Sequence, residues 1–329
     1  MKLGLAPLRI LIGLMFAASM AISASAQDVK LRLGHPITTA DAAHTAMLSF
    51  AENVKKRSNG RVEISVFPSD QLGRQKDVGE MVRQGANVIQ LTDPLFLGEW
   101  VPDAAILQAP FLMDKPDDMR KVMASDWMTD LNSRLNAKGI RVLSWNSYFG
   151  TRQIMSKKPV RSLADLNGAN FRAAAAPMYV EMIKAMGAKP VVTGFAEVYT
   201  GLSQGALDML EAPLPTMWAS KFYEQAKFVT MTGHMISWSP IIMSETYFKS
   251  LSADVQKMLV EEATRATEYM GTLKLKEEDE MVKKYESVGV TVIRNIDRNA
   301  FRNSTAKVYD NYQGWTPGIR DKVRGIITK

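Results

Sequence analysis

The stretch VKLRLGHPITTADAAHTAMLSFAENVKKRSNG, residues 29–60, combines the periodicity of a strand with that of a helix. Val29, Leu31 and Leu33 alternate with lysine, arginine and glycine, which predicts a β-strand. Apolar residues then recur at helical spacing over residues 43–54, until Ser-Asn-Gly ends the pattern. The sequence therefore opens with a strand followed by a helix.

The same rhythm continues downstream. Alternating residues over 62–66 predict a second strand, residues 74–84 a second helix and residues 88–91 a third strand. Strands that alternate with helices form parallel sheets, because each helix carries the chain back to the starting edge. Residues 29–91 are therefore predicted to form a βαβαβ unit.

A second unit of this kind follows Pro159. Pro177 is placed as the first residue of a helix and Gly187 as its stop. The predicted order is a strand over 169–173, that helix, Val191-Val192 as strand, a helix over 196–204 and a strand-like segment over 206–211. Two similar α/β halves are expected.

Extended runs over residues 141–156 and 231–244 connect the two halves, and two such crossings predict a hinge. Residues 252–287 form one long helical pattern, which is predicted to lie across both halves, with Gly271 as a kink. The expected fold class is α/β, two-lobed, with crossing strands at a hinge and a long helix spanning both lobes. The expected domains are lobe I, residues 27–150 plus about 238–275, and lobe II, residues 151–237 plus about 276–329.

The amino terminus predicts export. Lys2 and Arg9 precede a short apolar stretch and an Ala-Ser-Ala site, so residues 1–26 are interpreted as a cleaved signal peptide and the mature chain as periplasmic. The sequence contains no cysteine, which excludes disulfides and thiolate chemistry. Loss of Lys2 and Arg9 lowers the formal net charge from +7 to +5. The remaining basic residues are scattered, so nucleic acid is not an expected partner.

Two ionisable residues stand out in the second half. Arg172 ends a predicted strand in NFRAAAAP, residues 170–177, and Glu211 lies at the end of another. Ligands of open α/β sheets bind beyond the carboxyl ends of the strands. A guanidinium matches a carboxylate with two parallel hydrogen bonds. Arg172 is therefore a candidate carboxylate-binding residue, and the alternative is that it pairs with a neighbouring acidic side chain.

His35 and Asp93 follow the first and third predicted strands, so either could contact a ligand. His35 could instead hydrogen-bond the turn that follows it. Glu211 could bind ligand hydroxyls or orient Arg172.

The chain resembles the extracytoplasmic solute-binding subunits of TRAP transporters, the tripartite ATP-independent periplasmic transporters, over essentially its whole mature length. The motifs that carry the resemblance occur in the family's order and spacing. They are GRVEISVFPSDQLG (60–73), GTRQIMSKKPVRSLADLNGANFR (150–172), FAEVYTGLSQGALD (195–208) and KFYEQAKF (221–228).

The resemblance implies a protein that binds a small carboxylate between two α/β domains, closes on it and delivers it to a sodium-driven membrane permease. By motif, Arg172 corresponds to the arginine that grips the carboxylate, Arg152 to a second arginine near the ligand, and Phe195 to an aromatic residue lining the site. The implied partners are a small organic acid and the TRAP permease subunits. We expect a monomer without cofactor or metal.

This sequence departs from the family pattern at two places. Many members have Gln-Glu-Asn-Pro where this chain has Leu-Glu-Ala-Pro at 210–213, and Arg-Val-Pro where it has Arg-Ala-Ala at 172–174. The alanines remove side-chain donors, which favours a monocarboxylate with an apolar or aromatic remainder. The aromatic candidates for such a pocket are Trp145, Tyr148, Trp218 and Trp238.

Two other functions are considered. An exported enzyme acting on organic acids lacks support, since the chain has no nucleophile elbow, zinc motif or phosphate loop. Glu80 and Glu211 would be its only suggested acid-base pair. A binding protein of another uptake or sensing system would share the two-lobed design.

Overall fold

A computed structural model describes residues 29–329, so the predicted signal peptide lies outside the described residues. The strands are β1 Val29–Gly34, β2 Val62–Phe67, β3 Val88–Leu91, β4 Ile140–Ser144, β5 Tyr148–Ser156, β6 Asn170–Ala173, β7 Lys189–Val192, β8 Met209–Pro213, β9 Phe228–Trp238, β10 Ile241–Ser244 and β11 Thr291–Ile293. The α-helices are α1 Ala42–Arg57, α2 Gln75–Arg83, α3 Pro94–Leu97, α4 Asp117–Met123, α5 Asp126–Ala137, α6 Pro177–Ala185, α7 Val198–Ser203, α8 Leu214–Ala219, α9 Glu245–Ser250, α10 Ala253–Ser287, α11 Arg298–Asn311 and α12 Ile319–Thr328.

The first sheet has the strand order β2-β1-β3-β10-β4. Strand β1 runs parallel to β2 and β3, as the βαβαβ pattern predicted, and β10 joins antiparallel between β3 and β4. Leu31 and Leu33 of β1 are fully buried, together with Phe50 of α1. The alternation of apolar and polar residues in β1 therefore reflects a sheet with one face buried beneath helices. We call this sheet and the helices packed on it the first lobe.

The second sheet has the order β11-β9-β5-β8-β6-β7, and we call it and its helices the second lobe. Strand β6 runs parallel to β7 and β8, which confirms the second predicted unit. The helix predicted over 196–204 begins as a 3-10 turn, Phe195–Glu197, and continues as α7.

Each extended run predicted at the hinge is divided between the two sheets. The first run forms β4 in the first sheet and β5 in the second, and the returning run forms β9 and β10. Strands β5 and β9 pair antiparallel. Two chain crossings therefore connect the lobes, as the sequence predicted.

Helix α10 is continuous over its 35 residues and passes through Gly271 without a break, and the kink predicted there stays a prediction. The helix packs on β4 of the first sheet and β5 of the second, which places it across both lobes. A Cβ added at Gly271 would lie 3.5 Å from Tyr148 Cβ, an ordinary contact. The helix continues through this glycine because its packing on β5 compensates for the low helix propensity.

Helices α3, α4, α5, α8, α9, α11 and α12 have no counterpart among the predicted elements. Helix α12 packs on α4, which belongs to the residues expected in lobe I, although residues 276–329 were assigned to lobe II. The assignment of residues to lobes otherwise stays a prediction. No helix within residues 29–329 is long and apolar enough to cross a membrane.

Candidate functional site

A pocket with about 530 Å³ of empty space lies between the lobes. The first lobe contributes residues that follow β1 and β3, and the second contributes residues of β5, β6 and α8. The lining comprises Pro36, Ile37, Gln75, Leu91, Thr92, Asp93, Phe96, Phe149, Arg152, Arg172, Ala174, Tyr179, Phe195, Ala212, Thr216 and Ser239.

Arg172 is the second-last residue of β6, and only 4% of it is exposed. Its Nε donates to the carbonyl oxygen of Thr193 at 3.2 Å, and its Cζ lies 5.5 Å from the centroid of the Phe195 ring. Within residues 29–329 no carboxylate lies within ion-pair distance of this guanidinium, so the predicted alternative of an acidic partner is wrong. Burial lowers the pKa of Arg172. The pocket thus contains a buried cation that no carboxylate of residues 29–329 contacts directly, and Glu211 and Asp70 stabilise its charge only from a longer distance.

Arg152, on β5, is also buried but, unlike Arg172, has a carboxylate partner within the described residues. Its guanidinium grips both carboxylate oxygens of Glu211 on the neighbouring strand β8, with 2.7 Å between Nη2 and Oε1. Burial alone would lower the pKa of Arg152, but the Glu211 carboxylate raises it above its ordinary value. His234 Nε2 lies 3.2 Å from Glu211 Oε2 and adds a further contact. Arg152 is therefore already compensated within the protein.

Glu211 is 1% exposed and stays ionised despite its burial. Burial raises the pKa of this carboxyl, but Arg152 and His234 lower it more, to about 2. Glu211 contacts Arg152 directly and makes no hydrogen bond to Arg172 within the described residues. It lies behind the pocket wall, because Arg152 lines the pocket and Glu211 does not.

Asp93 follows β3 and caps α3, with its Oδ1 accepting from the backbone N–H of Leu95 at 2.9 Å. The hydroxyl of Tyr179 donates to Oδ2 at 3.2 Å. With its amide oriented to satisfy both neighbours, Gln108 donates to Oδ2 at 2.8 Å and accepts from Ser237 Oγ at 3.2 Å. Burial raises the pKa of Asp93 to about 6, although Arg152 opposes the shift. Asp93 gives the pocket an acceptor on the lobe opposite Arg172.

Phe195 lines the pocket as an apolar wall, and its ring packs edge-on against Phe222 with 5.5 Å between centroids. Ala174 and Ala212 leave the wall beside it without donors, as the sequence indicated. Several polar lining residues were missed by the sequence reasoning: Gln75, Thr92, Tyr179, Thr216 and Ser239. Tyr179 could have been predicted, because it lies in the first turn of the helix that begins at Pro177 and this turn faces the pocket.

The other predicted site residues lie away from this pocket. His35 is buried, with its Nδ1 accepting from the backbone N–H of Ile37 at 3.2 Å and its Nε2 3.1 Å from His44 Nδ1. Burial, with His44 second, lowers its pKa to about 4. Tyr148 and Trp238 pack edge-on against each other and line a separate pocket beside α10. Of the eight predicted residues, the pocket therefore brings together Arg172, Arg152, Asp93 and Phe195.

A second pocket continues from Arg172 to the surface, with about 630 Å³ of empty space. Across it, Arg74 of the first lobe donates to Glu197 of the second at 2.6 Å. Asp70 also lines this mouth, and burial raises its pKa to about 6 although Arg172 opposes the shift. This exposed ion pair connects the two lobes beside the mouth, but such pairs contribute little to stability.

Within residues 29–329 no group of three or more His, Asp or Glu side chains is placed to hold a metal ion. The pocket between the lobes is therefore a candidate binding site. It combines a buried cation without a contacting carboxylate among the described residues, a carboxylate acceptor, several hydroxyl and amide groups and the aromatic side chains of Phe96, Phe149, Tyr179 and Phe195.

Comparison with known proteins gives consistent matches. Residues 33–314 match the family model for bacterial extracellular solute-binding proteins, family 7. The 2,3-diketo-L-gulonate-binding periplasmic protein YiaO of Escherichia coli K12 is 30% identical over 313 residues, which cover 94% of each chain.

Solved structures show the same relationship. A TRAP periplasmic solute-binding protein from Ochrobacterium anthropi with bound L-fuconate is 33% identical, with a TM-score of 0.87, and the match covers 91% of this chain and 99% of that one. Another from Fusobacterium nucleatum, with bound sn-glycerol-3-phosphate, is 31% identical, with a TM-score of 0.89, over 91% of this chain and 97% of that one.

Proposed function

We propose, from the premise that this chain belongs to the bacterial extracellular solute-binding proteins of family 7, that it is the receptor of a TRAP transporter for a small hydroxylated carboxylate. The buried guanidinium of Arg172, which has no carboxylate partner within residues 29–329, is the observation that carries this proposal. An organic anion between the lobes would supply the missing charge. The two parallel N–H donors of the guanidinium match a carboxylate.

The rest of the pocket supports hydroxyl groups on the ligand. Asp93 accepts hydrogen bonds, and Thr92, Thr216, Tyr179 and Gln75 add polar atoms to the lining. Tyr148 and Trp238, which were expected to contact an apolar or aromatic remainder of the ligand, face a different pocket, whereas Phe96, Phe149 and Phe195 line this one. The ligands named for the similar proteins, 2,3-diketo-L-gulonate, L-fuconate and sn-glycerol-3-phosphate, are also small hydroxylated anions.

A charge count favours a carboxylate over a phosphate ester. Arg152 forms an ion pair with Glu211, so Arg172 is the one cation among the described lining residues of this pocket that has no carboxylate within ion-pair distance. Asp93, when ionised, adds a negative charge to the same pocket. A dianionic phosphate would therefore meet less compensation than a monoanionic carboxylate.

The enzyme alternative loses its suggested acid-base pair. Glu80 is bound by Arg83 on the exposed face of α2, at 2.8 Å between Arg83 Nε and Glu80 Oε2. Glu211 is instead buried against Arg152. The family consists of solute-binding receptors, so we propose binding without turnover.

Titration calorimetry tests the proposal with a panel of L-fuconate, L-galactonate, D-erythronate, 2,3-diketo-L-gulonate and sn-glycerol 3-phosphate. We expect the wild-type protein to bind at least one carboxylate, and Arg172→Gln to weaken that binding by about 3–5 kcal/mol, or two to four orders of magnitude. Arg161→Gln, at an exposed position of the second lobe, is the control and should bind as the wild type does. Equal affinity of Arg172→Gln and wild type would contradict the proposal, as would chemical conversion of the acid.

The delivery step belongs to the same proposal. The receptor would act as a monomer in the periplasm and dock on the TRAP permease subunits with the lobes closed. Closure itself follows from ligand contacts to both lobes, since Arg172 and Asp93 lie on opposite sides of the pocket. Small-angle scattering with and without the bound acid measures this closure.

A further inference from the structure

Lys274, on the helix that spans both lobes, is completely buried behind the pocket. Its Nζ donates to Asp41 Oδ1 at 2.6 Å and to Thr216 Oγ1 at 3.0 Å. Nζ also lies 4.8 Å from the centroid of the Phe149 ring. Both Thr216 and Phe149 line the pocket, so this ammonium forms the layer directly behind the wall.

The contact with Lys274 fixes the role of the Thr216 hydroxyl. An ammonium has donors and no acceptor, so Thr216 Oγ1 must accept in this bond. The hydroxyl hydrogen is then left for a second partner. Within residues 29–329 no protein acceptor takes it, although Thr216 is 1% exposed and belongs to the pocket lining.

A buried hydroxyl hydrogen without an acceptor is unfavourable, because buried polar groups are nearly always hydrogen-bonded. The remaining direction open to it is the pocket. The neighbouring lining residue Ala212 offers no acceptor in its side chain. A bound molecule with an oxygen at this position would complete the bond.

We propose that Thr216 is a specificity-determining hydrogen-bond donor of the pocket and that Lys274 is the positioning residue that holds its hydroxyl in the donating orientation. The bound acid must then present an acceptor oxygen, from its carboxylate or from a hydroxyl, to Thr216. This inference rests on the proposed function and adds a second point of recognition, distinct from Arg172.

The experiment compares side chains of matched shape. Thr216→Val removes the hydroxyl and keeps the branching, whereas Thr216→Ser keeps the hydroxyl and removes a methyl group. Thr216→Ser and Thr216→Ala form a second pair, because serine and alanine differ only in the hydroxyl group. This pair replaces the first comparison if the valine variant folds poorly. Each variant is titrated with L-galactonate, L-fuconate and D-erythronate after its melting curve shows a folded protein.

We expect Thr216→Ser to bind within about threefold of wild type. Thr216→Val should bind about 5- to 50-fold more weakly, the effect of one hydrogen bond to a neutral or charged acceptor. Equal affinities of the valine and serine variants, or of the alanine and serine variants, would overturn the role of Thr216 and leave the proposed function intact. A wild-type protein that binds none of the acids would overturn both.

The role of Lys274 needs a variant without a stranded charge. Lys274→Met combined with Asp41→Asn removes the ion pair, and asparagine still accepts from Ala43 N–H at the start of α1. In this background the Thr216 hydroxyl is no longer held, so Thr216→Val should reduce affinity less than it does in the wild type. Equal losses in both backgrounds would overturn the positioning role of Lys274.

Discussion

Arg152 and Glu211 form a two-point ion pair between neighbouring strands of the second sheet, with 2.7 Å between Nη2 and Oε1. Both side chains are buried. Because the pair is complete without a ligand, it fixes this part of the pocket wall, and we propose that Arg172 supplies the charge that binds the ligand. The two arginines predicted from sequence as a similar pair thus have different roles.

Glu211→Gln should be strongly destabilising. The substitution leaves Arg152 buried with no charged partner, which costs about 3–5 kcal/mol of the free energy of unfolding. Urea denaturation followed by circular dichroism measures this loss. Glu280→Gln is the control, since Glu280 forms an exposed pair with Lys284 and its removal should cost less than about 1 kcal/mol. A similar small loss for Glu211→Gln would contradict the assignment of Glu211 as the compensating charge.

Asp93 should lower the stability of the ligand-free protein at neutral pH. Its folded pKa of about 6 lies above the ordinary value of 3.8, so the folded state binds the proton more tightly and gains stability as the pH falls from above 6 to below 3.8. Asp93→Asn should raise the free energy of unfolding by roughly 1–3 kcal/mol at pH 8 and change it little at pH 4. Urea titrations at both pH values measure the difference. At pH 8 the control Asp117→Asn, which removes an exposed ion pair with Arg120, should change the free energy of unfolding by less than about 1 kcal/mol. An Asp93→Asn variant that is destabilised at pH 8 would contradict the prediction.

Local patterns predicted the two βαβαβ units, the two crossings between the lobes and the long helix, but not helices α3, α4, α5, α8, α9, α11 and α12. The strand and helix bounds of residues 29–91 were recovered because one covered face of each element imposes its period on the sequence. The carboxyl ends of the strands also located Arg172 and Asp93. Both the periodicity of an element and the residue at its end can be read from a short segment of the sequence.

Contacts between distant segments could not be predicted in this way. Lys274 and Asp41 are 233 residues apart, and nothing in either segment indicates that they meet. Tyr148 and Trp238 lie on the paired hinge strands β5 and β9. The pairing of these strands contains register shifts, and each shift changes the face of the sheet on which the following side chains lie. For that reason the sequence could not show that Tyr148 and Trp238 face a pocket other than the one that contains Arg172.

Gly150 should tolerate no side chain. Its φ of +131° is unfavourable for other residues, and an added Cβ would lie 2.6 Å from Pro213 Cβ. Gly150→Ala should therefore lower the free energy of unfolding by more than about 2 kcal/mol. Gly271→Ala is the matched control, because its Cβ would meet Tyr148 at an ordinary 3.5 Å and alanine favours the helix. We expect that control to raise the melting temperature, and an equal response of the two variants would contradict the prediction.

Without ligand, removal of the charge of Arg172 should raise the free energy of unfolding, whereas removal of the charge of Arg152 should lower it. Burial lowers the pKa of Arg172, which means that its charged form is held at a cost in the empty pocket. Arg172→Gln should therefore raise the free energy of unfolding of the ligand-free protein by about 1–2 kcal/mol. Arg152→Gln leaves Glu211 buried without its partner and should lower it by about 3–5 kcal/mol. Thermal melts of both variants, without added acid, provide the comparison. Destabilisation by Arg172→Gln as large as that by Arg152→Gln would mean that Arg172 already has its counter-charge within the protein, and the argument for an anionic ligand would fail with it.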